Sequence, residues 1–265
     1  MATAPYRAGT TPVRPGLPHF RFCTRTDEES LSMNRVMLRT EALAKGFTLH
    51  LRGGLRIPVL AEIDMDVHAG ECVVLTGPSG AGKSTLMRSL YGNYRAEGGR
   101  VLVRHRDRMV DLAAADPRII LAVRHETLGH VSQFLRVVPR VPAIDLVAEV
   151  MIARGIQPDT AYADATALLL RLNIPPRLHG LPPATFSGGE QQRVNLARGF
   201  IGGHPILLLD EPTASLDDEN RAVVVDMIND AKARGVATVA IMHDTTDRDA
   251  VADRVFPLTP LLHAA

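Results

Sequence analysis

The nine residues Gly77-Pro78-Ser79-Gly80-Ala81-Gly82-Lys83-Ser84-Thr85 decide the fold of this 265-residue chain. They match the phosphate-loop pattern G-x-x-x-x-G-K-[ST], in which glycines let backbone N–H groups approach anionic oxygens. In this pattern Lys83 reaches the β- and γ-phosphates of a nucleotide, and the Ser84 hydroxyl ligates Mg²⁺. We therefore expect the whole stretch to bind a nucleoside triphosphate. A glycine-rich turn that matches by chance is the alternative while the loop is considered alone.

The flanking residues predict a strand before the loop and a helix after it. Residues 71–76 form a short apolar run, typical of a buried strand, and residues 84–91 follow as a helix. The N-terminus of that helix faces the phosphates, where its free N–H groups and its dipole favour negative charge.

Two carboxylates and a histidine follow other apolar runs. Residues 206–209 are four aliphatic residues that precede Asp210 and Glu211, a pattern typical of a central parallel strand that ends in acids. Asp210 is predicted to hold Mg²⁺ through water, and Glu211 to polarise the attacking water. His243 follows the strand predicted over residues 237–241. Taken singly, Asp210 and Glu211 would be better explained as solvated acids at an ordinary strand end, and His243 as a structural histidine.

The remaining motifs occur in a fixed order: Gln133, Ser187-Gly188-Gly189-Glu190-Gln191, Asp210-Glu211, Ala214-Ser215-Leu216-Asp217 and His243. Together with the phosphate loop they resemble the nucleotide-binding domain of the ABC ATPase superfamily over residues 36–258. The resemblance implies an α/β P-loop NTPase fold of ABC type. Its core sheet is mainly parallel, with an antiparallel β subdomain and an inserted helical subdomain at about residues 143–187. It also implies ATP and Mg²⁺ as cofactors.

The resemblance assigns roles to individual residues. Lys83, Glu211, Gln133 and His243 would be catalytic, with Gln133 sensing the metal and the lytic water, and His243 contacting the γ-phosphate. The segment Ser187-Gly188-Gly189-Glu190 would complete the nucleotide site of a second subunit through Ser187 and Gly189. Asp217 would lie at the dimer interface. Only one phosphate loop is present in the chain, so two sites require two chains.

Phe47 is predicted to stack on the adenine ring. An aromatic residue is expected upstream of the phosphate loop, and the chain holds only seven Phe and four Tyr. A core aromatic on an edge strand is the alternative.

Composition limits the classes of function. The net charge is +1, from 30 basic and 29 acidic residues, so no basic field predicts nucleic-acid binding. Two cysteines, Cys23 and Cys72, make no disulfide framework and favour a cytoplasmic location. No run approaches the ~20 apolar residues of a membrane span, so a transport role would need separate membrane subunits.

The first 34 residues are rich in Pro, Thr and Arg and lack an apolar core, which argues against a secretory signal. We interpret residues 1–34 as a disordered extension, or as a start codon placed too early, and residues 35–265 as the ATPase domain.

Periodicity places the other elements. Antiparallel edge strands are expected at residues 36–43 and 59–68, joined around Gly53-Gly54, and a hairpin at 101–104 and 109–112. Helices are expected at residues 116–127, 161–172, 189–200, 218–234 and 247–251, and strands at 130–132, 204–210, 236–241 and 255–258.

Residues 133–143, QFLRVVPRVPA, are an unusual sequence after the glutamine. Together with residues 90–94, 172–175 and 183–187, they resemble the L-subunit (PhnL) family of the bacterial phosphonate carbon–phosphorus lyase system. The resemblance implies an ATPase that acts with the lyase core subunits and a sister ATPase of the PhnK type, rather than with a permease. The step implied is synthesis of the ribose-phosphonate triphosphate. Residues 147–151 depart from the family because no proline follows Glu149.

Two other functions remain open. The chain resembles the ATPase subunits of lipoprotein-release and macrolide-type exporters, which would place it beside a permease. A non-catalytic ATP-binding scaffold is disfavoured, because Lys83, Asp210, Glu211 and His243 are all present.

Overall fold

The computed structural model describes residues 35–49, 54–133, 135 and 139–261. Its strands are β1 (Val36–Leu49), β2 (Leu55–His68), β3 (Cys72–Thr76), β4 (Gly98–His105), β5 (Arg108–Asp111), β6 (Leu128–Val131), β7 (Ile206–Asp210), β8 (Ala237–Ile241) and β9 (Arg254–Pro257). Its helices are α1 (Lys83–Leu90), α2 (Pro117–Glu126), α3 (Ala143–Ile152), α4 (Pro158–Arg171), α5 (Pro176–His179), α6 (Gly188–Ile201), α7 (Asp218–Ala233) and α8 (Thr245–Val251).

The central sheet has five strands in the order β6-β7-β8-β3-β9, and every neighbouring pair is parallel. Its inner strands are short aliphatic runs, as expected for strands that are buried on both faces. The order brings the carboxyl ends of β6, β7, β8 and β3 side by side. These four strands precede Gln133, Glu211, His243 and the phosphate loop, so the sheet gathers those motifs at one edge.

Alternate residues of the central strands enter two different cores. Val74, Leu207 and Leu209 pack with the helical side, which includes α3, α4, α6 and α7. Val73 and Leu208 belong to the other core, with α1 and the antiparallel strands. This alternation follows from the two-residue period of a strand, and it places one helical layer and one β layer on opposite faces of the sheet.

A second, antiparallel sheet has the order β2-β1-β4-β5 and confirms the predicted β subdomain. The expected ends of the edge strands at residues 43 and 59 were wrong, because β1 continues to Leu49 and β2 begins at Leu55. Bulges explain the difference. Ala42 and Glu62 have positive φ values of 44° and 50°, and the register shifts there interrupt the alternation without ending the pairing.

The helical region is longer than the periodicity suggested. Helix α4 begins at Pro158 rather than at residue 161, since proline is well tolerated in the first turn of a helix. The predicted connection at Gly53 and the extension at residues 1–34 lie outside the described residues. Within the described ranges no helix is both long and apolar enough to cross a bilayer.

Helix α6 approaches the edge strand β6 closely at a glycine. A Cβ atom on Gly199 would lie 2.2 Å from Cγ2 of Val131, so it cannot be accommodated unless the Val131 side chain or the helix shifts. The absence of a side chain at Gly199 therefore allows α6 to pack closely against β6, the strand that precedes Gln133.

We predict that Gly199→Ala lowers the free energy of unfolding by about 1–3 kcal/mol, because the added methyl overpacks the α6–β6 contact. Helix propensity alone predicts the opposite effect, because alanine stabilises a helix by about 1 kcal/mol relative to glycine. A loss of stability would therefore report the packing of α6 against β6. Urea unfolding measures the change. Gly180→Ala is the control, because a Cβ there meets no atom within 4 Å. Equal stabilities of the two variants would contradict the packing argument.

Candidate nucleotide site

The phosphate loop joins β3 to α1 through three left-handed glycines. Gly77, Gly80 and Gly82 have φ values of 139°, 81° and 93°, which favour glycine strongly. A Cβ atom would also lie 2.2 Å from the carbonyl oxygen of Leu258 at Gly77, and 2.9 Å from Cδ2 of Leu60 at Gly82. The loop therefore requires glycine at two positions for space as well as for conformation.

The Lys83 ammonium lies within the loop that precedes it. Its Nζ atom donates to the carbonyl oxygens of Gly77 and Pro78 at 2.8 and 2.9 Å. Helix α1 begins at Lys83, and its N-cap residue Gly82 has no side chain to satisfy the first N–H groups. These backbone donors and the ammonium thus converge on the space where an anion is expected.

The other loop residues differ in exposure. Pro78, Ser79, Gly80 and Ser84 are exposed, and Thr85 is half-buried, whereas Ala81 is buried with Gly82. The Ala81 side chain is therefore not available to a ligand, and its backbone N–H donates to the Pro78 carbonyl at 3.2 Å.

Asp210 is a buried carboxylate with an unsatisfied oxygen. It is only 6% exposed, and its Oδ1 atom has no hydrogen-bond partner. Burial, and then the neighbouring charge of Glu211, raises the pKa of Asp210 above its usual value. An unpaired buried carboxylate oxygen fits a cation, because Mg²⁺ takes one or two carboxylates and completes its shell with phosphates and water.

No self-sufficient metal cluster is present among the described residues, in the sense of three or more His, Cys, Asp or Glu side chains. Mg²⁺ would therefore be held by Asp210 and the Ser84 hydroxyl together with the nucleotide. Gln133 is the third metal ligand that the resemblance implies. Its amide nitrogen donates to Glu211, and binding of Mg²⁺ by its amide oxygen stays a prediction.

The Glu211 carboxylate is hydrogen-bonded on both oxygens. Nε2 of Gln133 donates to Oε2 at 2.9 Å, and Nε2 of His243 lies 2.7 Å from Oε1. The His243 side chain is 64% exposed, whereas that of Glu211 is 21% exposed, so the histidine faces the solvent side of the pair. The structure thus brings together three of the residues predicted to be catalytic.

Glu211 also carries backbone strain. Its φ of 53° places a non-glycine residue in the left-handed region, which costs of order 1–3 kcal/mol and occurs mainly at functional sites. The backbone N–H of Glu211 donates to the carbonyl of Ile241 at 3.1 Å. This turn aims the carboxylate across the ends of the neighbouring strands.

The segment Ser187-Gly188-Gly189-Glu190 forms the start of α6. Ser187 is the N-cap, its Oγ accepting from the backbone N–H of Glu190, and the Glu190 carboxylate accepts from the Ser187 backbone N–H, which completes a capping box. A Cβ on Gly189 would lie 2.9 Å from the carbonyl oxygen of Ser215. Within the described residues, no hydrogen bond joins this segment to the phosphate loop of the same chain.

Helix α6 connects that segment to the ends of β6 and β7. Nδ2 of Asn195 donates to the carbonyl of Ser132 at 2.6 Å, directly before Gln133. Nε2 of Gln192 lies 3.4 Å from the carbonyl oxygen of Glu211. One rigid element therefore contacts the backbone next to both Gln133 and Glu211.

A clamp that the sequence reasoning missed joins α7 to the His243 loop. Arg221 of α7 contacts Asp244 at 2.5 Å and Asp247 at 3.0 Å. Asp217 caps the same helix by accepting from the Asn220 N–H at 2.9 Å. The pairing joins residues that are distant in sequence, and no local pattern indicated it.

Phe47 is half-buried and already has aromatic and cationic neighbours. Its ring packs edge-on against Tyr94 at 5.2 Å between centroids, and Nζ of Lys45 lies 5.1 Å from the ring centre. Stacking on adenine stays a prediction for this residue. Of the unusual segment after Gln133, residues 134 and 136–138 lie outside the described residues, while Pro139 and Arg140 form an exposed turn.

A phosphate loop, a buried acid, and a glutamate held between a glutamine and a histidine at one sheet edge define a nucleotide-binding domain of the P-loop class. The family model described as "ABC transporter" matches residues 60–214. The chain therefore belongs to the ABC transporter ATPase family.

Three relatives show the range of this family. The chain is 36% identical over 197 residues to the arginine transport ATP-binding protein ArtP of Haemophilus influenzae, covering 74% of this chain and 80% of ArtP. It is 34% identical to the lipoprotein-releasing system protein LolD of Shewanella sp. strain MR-4, over 80% of this chain and 89% of LolD. It is also 34% identical to the macrolide export protein MacB of Salmonella paratyphi A, of which it spans 29%.

Solved structures support the same fold. The dimeric structure of MJ0796, a bacterial ABC transporter cassette, matches with a TM-score of 0.77 and 24% identity, over 84% of this chain and 94% of that chain. A post-hydrolysis state of MJ0796 bound to ADP and Pi matches with a TM-score of 0.76 over the same shares. The predicted ABC-type α/β fold is thus confirmed.

The burial of Asp210 predicts that this residue destabilises the nucleotide-free protein. A carboxyl whose pKa is raised on folding lowers the free energy of unfolding, and it does so fully when the pH is above the folded-state pKa. This destabilisation disappears as the pH falls below the unfolded-state pKa of about 3.9, where the group is protonated in both states. Asp210→Asn should therefore raise the midpoint of thermal unfolding at pH 7 by a few degrees, with a smaller gain at pH 4.

Differential scanning calorimetry without nucleotide measures this gain. The control is Asp226→Asn on α7, an exposed aspartate that should leave the midpoint unchanged. A lower midpoint for Asp210→Asn at pH 7 would show that the carboxylate stabilises the protein in the absence of nucleotide.

Proposed function

We propose that the chain is a Mg²⁺-dependent ATPase that works as a pair of chains. Each nucleotide lies between the phosphate loop of one chain and the Ser187–Glu190 segment of the other. The observation that carries the proposal is the Glu211 carboxylate, held by Gln133 and His243 beside the buried, unpaired Asp210. The family membership of the chain supports the same class of reaction.

The residues have distinct tasks in hydrolysis. Glu211 accepts a proton from water as the water oxygen bonds to the γ-phosphorus and the bond to the β–γ bridging oxygen breaks. Lys83 exchanges the carbonyls of Gly77 and Pro78 for phosphate oxygens, and His243 donates to the γ-phosphate. Mg²⁺, held by Asp210 and Ser84, would neutralise charge on the phosphates. Gln133 keeps the glutamate oriented toward the water.

The split site is supported from two directions. The Ser187–Glu190 segment makes no hydrogen bond to the phosphate loop of its own chain within the described residues, although its helix N-terminus suits a phosphate. MJ0796, which shares the fold, was solved as a dimer. We propose a homodimer, or a mixed dimer with a related ATPase of the PhnK type.

For the process that ATP drives, we propose phosphonate utilisation with the carbon–phosphorus lyase core, in synthesis of the ribose-phosphonate triphosphate. The support is the set of four sequence segments similar to the PhnL family. Pro139 and Arg140 of the first segment are exposed, with Arg140 at a φ of 64°, so this turn is available to a partner. None of the three relatives named above refers to phosphonates, so they support the ATPase class and not this role.

A transport motor is the second candidate, and the relatives favour it. LolD and ArtP match most of this chain and are named for lipoprotein release and arginine transport. In that case the partner would be a separate membrane subunit. Either role places the ATPase in the cytoplasm, where ATP is available. Cys72 is compatible with this, since burial raises the pKa of its thiol to about 12 and leaves it unreactive.

Affinity purification separates the two roles. The full chain would be recovered from cells grown with a phosphonate as phosphorus source, and the bound proteins identified by mass spectrometry. Recovery of lyase core subunits and a second ABC ATPase supports the phosphonate role. An integral membrane partner without lyase subunits would support the transport role instead.

Glu211→Gln should reduce ATP turnover at least 100-fold and leave ATP binding intact, because glutamine has nearly the shape of glutamate but its amide cannot accept the proton. Steady-state phosphate release and equilibrium ATP binding measure the two effects. Glu219→Gln, an exposed change in the first turn of α7, is the matched control. Turnover near the parent rate would remove Glu211 from the role of base.

Mixing two inactive variants tests the split site. A Lys83→Ala chain keeps an intact Ser187 segment, and a Ser187→Ala chain keeps an intact phosphate loop. Their mixture should therefore contain dimers with one complete site and regain part of the activity. ATPase assays on the mixture and on each variant alone measure the recovery. Activity no greater than the sum of the separate variants would argue against a homodimer.

A further inference from the structure

The His243 side chain is positioned mainly through its backbone. It is 64% exposed, and within the described residues its one hydrogen bond joins Nε2 to Oε1 of Glu211. The residue lies between two fixed neighbours, since Met242 before it is buried and Asp244 after it is the N-cap of α8. The position of the imidazole ring therefore depends on how the start of α8 is held.

Arg221 of α7 holds the start of α8 through two carboxylates. Its Nη2 atom contacts Oδ2 of Asp244 at 2.5 Å, and its Nε atom donates to Oδ2 of Asp247 at 3.0 Å. The other oxygen of Asp244 accepts from the backbone N–H groups of Thr246 and Asp247. One guanidinium group thus fixes the N-cap and the first turn of the helix that directly follows His243.

These contacts are more sheltered than those of an ordinary surface ion pair. The Arg221 side chain is 24% exposed, and that of Asp247 is 9% exposed. Hydrogen bonds from the backbone N–H of Asp247 and from Arg221 hold the pKa of Asp244 below its usual value, so this carboxylate is ionised at pH 7. Because the guanidinium fork donates in fixed directions, it sets the orientation of both carboxylates as well as their distance.

The backbone that carries Arg221 is itself held in place. Its N–H group donates to the carbonyl of Asp217 at 2.8 Å. The preceding Asn220 is buried, its Nδ2 atom donates to Oδ1 of Asp217 at 2.7 Å, and its Oδ1 atom accepts from Arg193 of α6 at 3.1 Å. Helix α6 also contacts the backbone carbonyl of Glu211. The two sides of the histidine–glutamate pair are therefore held by helices that are bonded to each other.

Helices α7 and α8 stay together without the Arg221 contacts. Val251 of α8 packs into the same core as Ile228 of α7. Nδ2 of Asn229 donates to the Ala250 carbonyl at 3.2 Å. Both contacts lie at the end of α8 that is remote from His243. The ion pairs at the other end therefore determine the local geometry beside the histidine more than the general packing of the two helices.

We propose that Arg221 is a positioning residue for ATP hydrolysis. By fixing Asp244, it holds the imidazole of His243 where Nε2 reaches Glu211 and, with nucleotide bound, the γ-phosphate. The inference rests on the proposed function and deepens it, because it adds a residue to the same site. Position is decisive there, since a shift of about 1 Å caused by a remote group can lower a reaction rate about 100-fold.

Arg221→Gln tests the role through the two kinetic constants. It should lower kcat by about 10- to 100-fold and change the KM for ATP by less than about threefold, because the phosphate loop is untouched. Arg221→Lys keeps the charge but not the fork, so it should recover part of the lost kcat. A parent-like kcat in Arg221→Gln, or a defect confined to KM, would overturn the proposal.

Asn229→Ala is the matched control, because it removes a hydrogen bond between the same two helices at the end of α8 remote from His243. Both variants are assayed well below their unfolding midpoints, which calorimetry supplies. Asn229→Ala should keep the parent kcat. An equal fall of kcat in the two variants would mean that any loosening of α8 slows the reaction, which contradicts a specific role for Arg221.

A second variant tests the same contact from the other side. Asparagine caps a helix about as well as aspartate does, so Asp244→Asn should fold while losing the ion pair with Arg221. Its kcat should fall by a similar factor. The double variant should be no slower than the slower single variant, because both changes break one contact. Additive losses would show that the two residues act separately and would refute the positioning role.

The position of the histidine can also be measured without turnover. In NMR spectra of the nucleotide-free protein, the Hε1–Cε1 signal of His243, assigned with His243→Gln, should shift or broaden in Arg221→Gln and stay unchanged in Asn229→Ala. The two proposals fail separately. Absence of ATP hydrolysis by the parent chain would refute the proposed function, whereas an unchanged His243 signal with normal parent turnover would refute only the role of Arg221.

Discussion

The hydrogen bonds to the Glu211 carboxylate are the interaction on which the rest of the site depends. Their donors stand at the ends of two different strands, Gln133 after β6 and His243 after β8, with β7 and Glu211 between them. The bonds form only if all three parallel strands are in register. The pairs Val131–Leu209 and Asp210–Ile241 set that register. The order and register of the sheet therefore determine the geometry around Glu211, and the burial of the aliphatic strands on both faces stabilises that register.

A second constraint is the close packing of α6 at two glycines. Gly199 allows the helix to contact the Val131 side chain of β6, and Gly189 allows its first turn to approach the carbonyl oxygen of Ser215. The helix therefore packs near both ends against β6 and against the segment that follows β7. If the N-terminus of α6 binds the phosphate of a second chain, that contact acts on a rigid element already bonded beside Gln133 and Glu211. Coupling between the phosphate of the second chain and the Glu211 site would then pass through α6 itself, without a flexible segment.

Most of the fold could be predicted from the sequence because local residue patterns indicate its strands, its helices and the phosphate loop. Continuous aliphatic runs predicted the parallel strands, and glycine spacing predicted the loop before α1. What it missed depends on distant pairs. The bulges at Ala42 and Glu62 extend β1 and β2 past their expected ends. The Arg221 clamp joins side chains from separate elements, which only the tertiary fold brings together. The hydrogen bond from the Gln133 amide nitrogen to Glu211 likewise joins two strands and has no local sequence signal.

The electrostatics of the nucleotide site favour a charged ligand. Asp210 and Glu211 are adjacent, and Asp210 is buried with no hydrogen-bond partner for one oxygen, so its carboxylate is held at a cost in free energy. Lys83 lies on the loop carbonyls instead of neutralising it. In the proposed function, a cation bound together with a polyphosphate would satisfy both groups, since the metal would contact the carboxylate and the phosphate would contact the ammonium. The cost of burying the carboxylate would then be offset by binding Mg²⁺ and nucleotide together.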